Sequence, residues 1–223
     1  MDNRLIRDAR AVKRRRRMPF PALWLFTDSI RMPDPLPVIA KLPRDIGGVV
    51  FRHDNIPNRV ELARQVAGLC RIRGLPLVIA GDVRLAARLR AGQHRREGWM
   101  PRLRPRRGLI TASAHGMAGL RRAARLGADL VFLSPAFPTA SHPDAAALGA
   151  LRWAQLSRSS RIPVLALGGI EGIRLRRLGS CCAGGGAIGA LYTCIHKKQL
   201  VASMAQCGEI AVLSQFRDCV DYL

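Results

Sequence analysis

A chain of 223 residues with 48% hydrophobic content is long enough to bury one sizeable core. Its net charge of +22 invites a nucleic-acid reading, yet the arginines lie among alanine and leucine on helix-like faces and only 5% of the chain is aromatic. Charge without stacking groups argues against nucleic acid as the partner, and no apolar run nears the roughly 18 residues that a membrane helix needs.

In chain order, the first segment is basic. Residues 1–17 carry eight basic and two acidic side chains, with KRRRR at 13–17 and no apolar stretch after it that would make a secretory signal. Residues 1–19 therefore read as a disordered basic arm, and Met18 as an alternative start, since strand-like sequence begins just after it. Apolar β-rich runs then alternate with segments of helical period, the pattern of repeated βα units. The expected strands are LWLFT (23–27), GGVVF (47–51), PLVIA (76–80), GLITAS (108–113), ADLVFL (128–133), IPVLAL (162–167) and AIGAL (187–191). The clearest helices between them are 58–74, 115–127 and 144–158, each tending to end in glycine.

An eighth strand of doubtful character falls around Gln93–Trp99. Eight parallel strands in a chain this short predict a compact (β/α)8 TIM barrel with an irregular fourth strand; an open doubly wound sheet is the alternative. After about Leu191 the composition changes and arginine almost disappears, so 192–223 reads as a final helix or an atypical tail. The six cysteines form no CxxC pair, which points to reduced thiols and a cytoplasmic setting. Oligomeric state is left open.

In either fold, ligands meet the strand C-terminal ends. The residues just past each strand include Asp28, Arg52, Asp82, Ser113, the stretch SPAFPTASHP (134–143), Gly168 and Gly169. Basic, hydroxyl and glycine residues suit a small phosphorylated ligand, because glycine exposes backbone N–H groups to an anion. ALGGIEG follows a strong strand, as a barrel phosphate site requires. Gly184, Gly186 and Gly189 match GxGxxG in spacing, but not at a strand-to-helix turn, so dinucleotide binding is not expected.

GADLVFLSPAFPTASHPDAAALG, followed by IPVLALGGI and a glycine-rich final strand, resembles the thiamine-phosphate synthase and thiazole tautomerase family of (β/α)8 barrels. LWLFTD, GGVVFR, LPLVIAGD and ITASAH occur in the matching order, so the resemblance spans about 20–191. It implies a magnesium-dependent transferase that joins hydroxymethylpyrimidine diphosphate to thiazole phosphate and releases diphosphate. A phosphate-binding barrel with a salvage or regulatory role is the alternative.

Carried over by position, the resemblance assigns Gly168, Gly169 and Gly186 to the thiazole phosphate, Ser141 to a substrate hydroxyl contact, and Arg52, Ser113, Thr139 and His142 to catalysis. His142 stands where the family has lysine, and Pro135 where the tautomerases have histidine. The family's Gln-x-Arg-x-Lys is Val50, Arg52 and Asp54 here, and its Asn-Asp is Gly81 and Asp82. Asp82 is thus the one expected magnesium ligand, since no second aspartate occurs near Glu97–Trp99. Arg95 and Arg96, in GQHRREGW, are expected to supply some of the missing charge at the diphosphate.

Overall fold

The computed structural model describes residues 1–98, 108–139 and 146–192. Eight parallel strands close into a barrel in sequence order: β1 (Leu23–Phe26), β2 (Gly47–Phe51), β3 (Leu77–Ala80), β4 (Gly92–Arg95), β5 (Ile110–Ala114), β6 (Leu130–Leu133), β7 (Val164–Ala166) and β8 (Gly185–Ala187). The expected barrel is therefore present, and β8 pairs with β1 from Leu23↔Gly185 to Leu25↔Ala187. Helices α2 (Leu36–Lys41), α3 (Arg59–Arg73), α4 (Val83–Arg88), α5 (Met117–Arg125) and α6 (Gly149–Arg158) cover the outside, with a 3-10 turn at Arg176–Leu178 before β8. No described helix is long and apolar enough to cross a membrane.

Alternation along each strand divides the core in two. Trp24, Phe26, Val50, Val78, Leu130 and Phe132 point inward and fill the barrel, whereas Leu23, Leu25, Val49, Phe51, Val131 and Leu133 face the helices. Phe26 meets Phe132 edge to face at 4.8 Å between ring centres, and Trp24 meets the same ring at 5.9 Å. This crowding explains β8. A β-carbon at Gly186 would lie 2.6 Å from the Phe26 ring, so only glycine lets the strand pass. The final strand was expected at 187–191; it lies instead at Gly185–Ala187, and residues 189–192 are already helical. Its glycines carry no β-propensity signal, which displaced the expectation toward the more apolar AIGAL.

β4, the least strand-like in sequence, pairs in parallel with both β3 and β5. All four of its residues are buried. Helix 144–158 is shorter than expected, beginning at Gly149, and residues 144 and 145 fall outside the described residues. So does nearly all of the expected C-terminal segment 192–223.

The N-terminal arm is a correction. Residues Asn3–Arg16 form helix α1, capped by Asp2, whose carboxylate accepts from the Arg4 and Leu5 N–H groups at 2.9 and 3.1 Å. Leu5, Ala9 and Val12 recur at helical spacing and are buried in the outer core. One end is tied to the segments after β7 and β8, through Asp2 to the Gly172 N–H and the Ala190 carbonyl. The other reaches those before β8 and β1, through Arg15 to the Gly179 and Cys182 carbonyls and Lys13 to the Phe20 carbonyl. The helix thus lies antiparallel to the strands over the β8–β1 seam, and Asp8, buried, pairs with Arg176 at 2.8 Å. KRRRR supplies the last turn, where cations face the negative end of the helix dipole. Charge density hid a three-residue apolar stripe.

Of the cysteines, Cys70, Cys181 and Cys182 are described and are free thiols. Burial pushes the Cys70 and Cys182 thiols up to about 12, which keeps them protonated at neutral pH.

Candidate active site

A cavity of about 830 Å³ opens at the C-terminal ends of the strands. On its β1–β4 side stand Arg31, Arg52 and Arg96; on its β7–β8 side the backbone of Gly168, Gly169 and Gly186 forms the wall; Ser113 and Thr139 lie between. Ser141 and His142 fall outside the described residues.

The glycine wall follows from how two loops cross. Gly168 and Gly169 both have positive φ, +87° and +63°, and the Pro135–Pro138 segment runs directly over them. Ala136 donates to the Leu167 carbonyl at 2.8 Å and Phe137 to the Gly168 carbonyl at 3.2 Å, so the loop after β6 is laced to the turn after β7. Arg174 holds the turn from the other side, donating to the Gly169 carbonyl at 3.0 Å while pairing with Glu171 at 2.9 Å.

Opposite this wall, Arg52 is placed by a chain of buried hydrogen bonds. Its backbone N–H donates to the Thr27 hydroxyl at 2.8 Å, and that hydroxyl donates to His53 Nδ1 at 2.9 Å. His53 Nε2–H in turn donates to the Met32 carbonyl at 2.9 Å. Thr27 and His53 are thus buried supports for Arg52. Removal from water pushes the Arg52 guanidinium below the ordinary arginine value; the neighbouring Arg96 charge adds to the shift, Asp54 and Asp28 oppose it, and Arg31 adds a little more.

Alternation along β4 decides what GQHRRE contributes. His94 points into the barrel, so Arg95 must point out; it is buried beneath α5 and donates to the Leu126 carbonyl at 2.9 Å. Arg95 is therefore not part of the cavity, contrary to expectation. Arg96, one residue on, returns to the cavity and pairs with Asp54. A β-carbon at Gly81 would lie 3.5 Å from Arg96 Nη2, an ordinary van der Waals contact, so Arg96 passes close beside Gly81.

His94 is the residue that sequence reasoning missed. Its Nδ1 lies 2.8 Å from the Thr111 hydroxyl and its Nε2 2.9 Å from the Ser113 hydroxyl, with Phe26 edge-on at 5.4 Å. Full burial, with the charges of Arg52 and Arg96, pushes the imidazole down to about 3. A neutral ring donates through one nitrogen and accepts through the other, so it fixes the hydroxyl direction at Ser113. The shift also makes stability pH-dependent. Above pH 6.5 neither state binds the proton; as pH falls toward about 3 the unfolded imidazole takes it and the folded one does not, so stability drops. The loss attributable to His94 should be about 2 kcal/mol at pH 5. Urea midpoints at pH 7.5 and pH 5 should differ less in His94→Asn than in the parent; equal differences would sink this account.

The expected magnesium ligand does not fit. Asp82 Oδ1 caps α4 by accepting from the Leu85 N–H at 2.9 Å, and Oδ2 accepts from Arg59 at 3.2 Å. Arg59 also donates to the carbonyls of His53 and Ala80, at 2.8 and 2.9 Å, and lies 3.7 Å from Asp54. A guanidinium thus sits among the oxygens that a hard cation would need. Asp82 does not line the cavity, and among the described residues no cluster of three metal-binding side chains exists.

Comparison with known proteins supplies the deciding observation: a model of the family described as thiamine monophosphate synthase matches residues 39–189. The chain belongs to this family. A thiamine-phosphate synthase of Geobacillus thermodenitrificans is 31% identical over 153 residues, covering 65% of this chain and 69% of that protein. A putative thiamine-phosphate synthase 2 of Aquifex aeolicus is 31% identical over 163 residues, covering 69% and 87%. The chain spans about half the length of a Bacillus velezensis thiamine-phosphate synthase, 53%, at 33% identity. Among solved structures, a thiamine phosphate pyrophosphorylase from Pyrococcus furiosus superposes with a TM-score of 0.66 over 75% of this chain and 85% of that one, at 24% identity, a likeness of fold. In this member of the thiamine monophosphate synthase family the cavity has a glycine wall, Ser113 and Thr139 beside it, and arginines at the opposite end.

Proposed function

We propose that this barrel joins a hydroxymethylpyrimidine diphosphate to a thiazole phosphate, giving thiamine phosphate and free diphosphate. The observation that carries the reading is a single cavity with an anion-accepting wall at each end: arginines on the β1–β4 side and bare glycine backbone on the β7–β8 side. Two phosphorylated substrates, one from each side, would meet between Ser113 and Thr139. Membership in the thiamine monophosphate synthase family and relatives named thiamine-phosphate synthase support the same reaction.

In this reading the bond between the pyrimidine methylene carbon and the diphosphate oxygen ionises, and its electron pair leaves with the diphosphate. The thiazole nitrogen lone pair then forms the new C–N bond, and the ring becomes a thiazolium without a proton changing hands. Arg52 and Arg96 bear the charge that develops on the leaving group, where stabilisation in a half-buried site is worth most. Gly168, Gly169 and Gly186 hold the thiazole phosphate. Ser113, directed by neutral His94, and Thr139 orient the reacting rings. A cytoplasmic location goes with this reading. Incubating the purified chain with both precursors and detecting thiamine phosphate by chromatography tests it; absence of product with and without magnesium would reject the activity.

A further inference from the structure

We propose that this site binds the diphosphate end of its substrate on arginine side chains, without a divalent metal ion. The inference rests on the reading above, and goes beyond it in naming what neutralises the leaving group.

Two independent arrangements carry it. The first is that the oxygens a metal would use are already held. Arg59 makes hydrogen bonds to Asp82, His53 and Ala80 and is largely buried over the Phe51 ring, 5.7 Å from its centre. With Asp82 also spent on capping α4, a divalent ion would have to expel a guanidinium with three bonds and break the start of a helix. Arg59 is a resident cation.

The second is that positive charge converges on the neighbouring cavity wall. Arg31, Arg52 and Arg96 all line it, as do the carboxylates of Asp28 and Glu97, and Arg52 and Arg96 are close enough to repel each other. Asp54 sits between Arg96, with which it pairs, and Arg59, 3.7 Å away. An incoming diphosphate can take Asp54's place at Arg96 while Arg59 keeps the carboxylate neutralised, so binding exchanges one charge-assisted pair for another and strands no charge. Guanidinium presents paired N–H donors to phosphate oxygens, a geometry that a single lysine lacks. Arg96 passes beside Gly81, where a β-carbon would make only ordinary van der Waals contact with its guanidinium.

The test is calorimetric titration with inorganic diphosphate, first in EDTA and then in excess magnesium. Affinities within about threefold of each other are expected, and Arg96→Ala should weaken binding in EDTA by about tenfold or more. Manganese, followed by electron paramagnetic resonance, should show no stoichiometric site in the parent and should gain one in Arg59→Met, whose folding is checked by circular dichroism. Diphosphate binding that appears only with magnesium, a stoichiometric manganese site in the parent, or unchanged affinity in folded Arg96→Ala would each overturn the proposal. The synthase assay separates this from the activity itself. Product formed only with magnesium removes the metal-free site and leaves the function; diphosphate bound in EDTA with no product under any condition removes the function and leaves the site.

Discussion

A chain shortened to begin at Met18 is expected to lose most of its folded population. The deletion removes α1 and with it Leu5 and Val12, both nearly inaccessible, and Ala9 between them. Burying each large side chain contributes about 1.5–3 kcal/mol, so the stripe and the β8–β1 surface it covers together account for on the order of 5 kcal/mol. Native domains are stable by only about 5–15 kcal/mol, so this one loss takes a large share of the total. Asp8 adds to it from the other side, because Arg176 would lose its buried carboxylate. Urea titration followed by circular dichroism measures the effect. Leu5→Ala alone should cost about 2–5 kcal/mol, the range for emptying a core leucine site. A shortened chain with the parent midpoint would show that α1 contributes nothing to the barrel.

Gly169→Ala is expected to damage stability and substrate binding together. A β-carbon there would lie 2.5 Å from the Pro138 carbonyl oxygen and 2.9 Å from the Phe137 β-carbon, with φ at +63°. Left-handed backbone costs an alanine about 1–2 kcal/mol, and no rotamer relieves a clash with a main-chain oxygen. The loop from Pro135 to Thr139 must therefore shift, and it carries Thr139 and shapes the glycine wall. The KM for thiazole phosphate should rise by about tenfold or more, since a misplacement near 1 Å is enough to forfeit orientation. Gly74→Ala is the control. Gly74 has nearly the same φ, +66°, but nothing within 4 Å of its missing β-carbon, so it isolates the backbone strain. That variant should lose about 1 kcal/mol of stability and keep the parent KM. Matching KM values for the two variants would detach the glycine wall from substrate binding.

The barrel was legible because most of its strands, β4 and β8 excepted, are apolar on both faces and recur with helical segments between them. The misreadings share one cause: a side chain's direction is set by neighbours that the local sequence does not contain. Arg95 was grouped with Arg96 because they are adjacent, yet one lies under α5 and the other in the cavity. Asp82 was expected at a strand end, and it stands at one, but α4 and Arg59 determine where its oxygens point. His94 looked like part of an irregular polar run because two hydroxyl partners, Thr111 and Ser113, are contributed by the next strand. Arg59 is one of many arginines on a helix face, and nothing in the local sequence tells that its guanidinium joins the ends of β2 and β3.

The seating of α1 also dictates an order of events during synthesis. Its contacts through Asp2 to Gly172 and through Asp8 to Arg176 span 170 and 168 residues of chain. A helix of 14 residues is marginal by itself in water, and its apolar stripe has no surface to cover until β8 has been made. Helix α1 is therefore synthesised before every strand of the barrel yet docks only after β8, held in solution meanwhile by its own arginines. Loop closure over so long a separation comes late and slowly. Barrel closure and docking of α1 become a single step, and a nascent chain halted before β8 should keep α1 open to proteolysis.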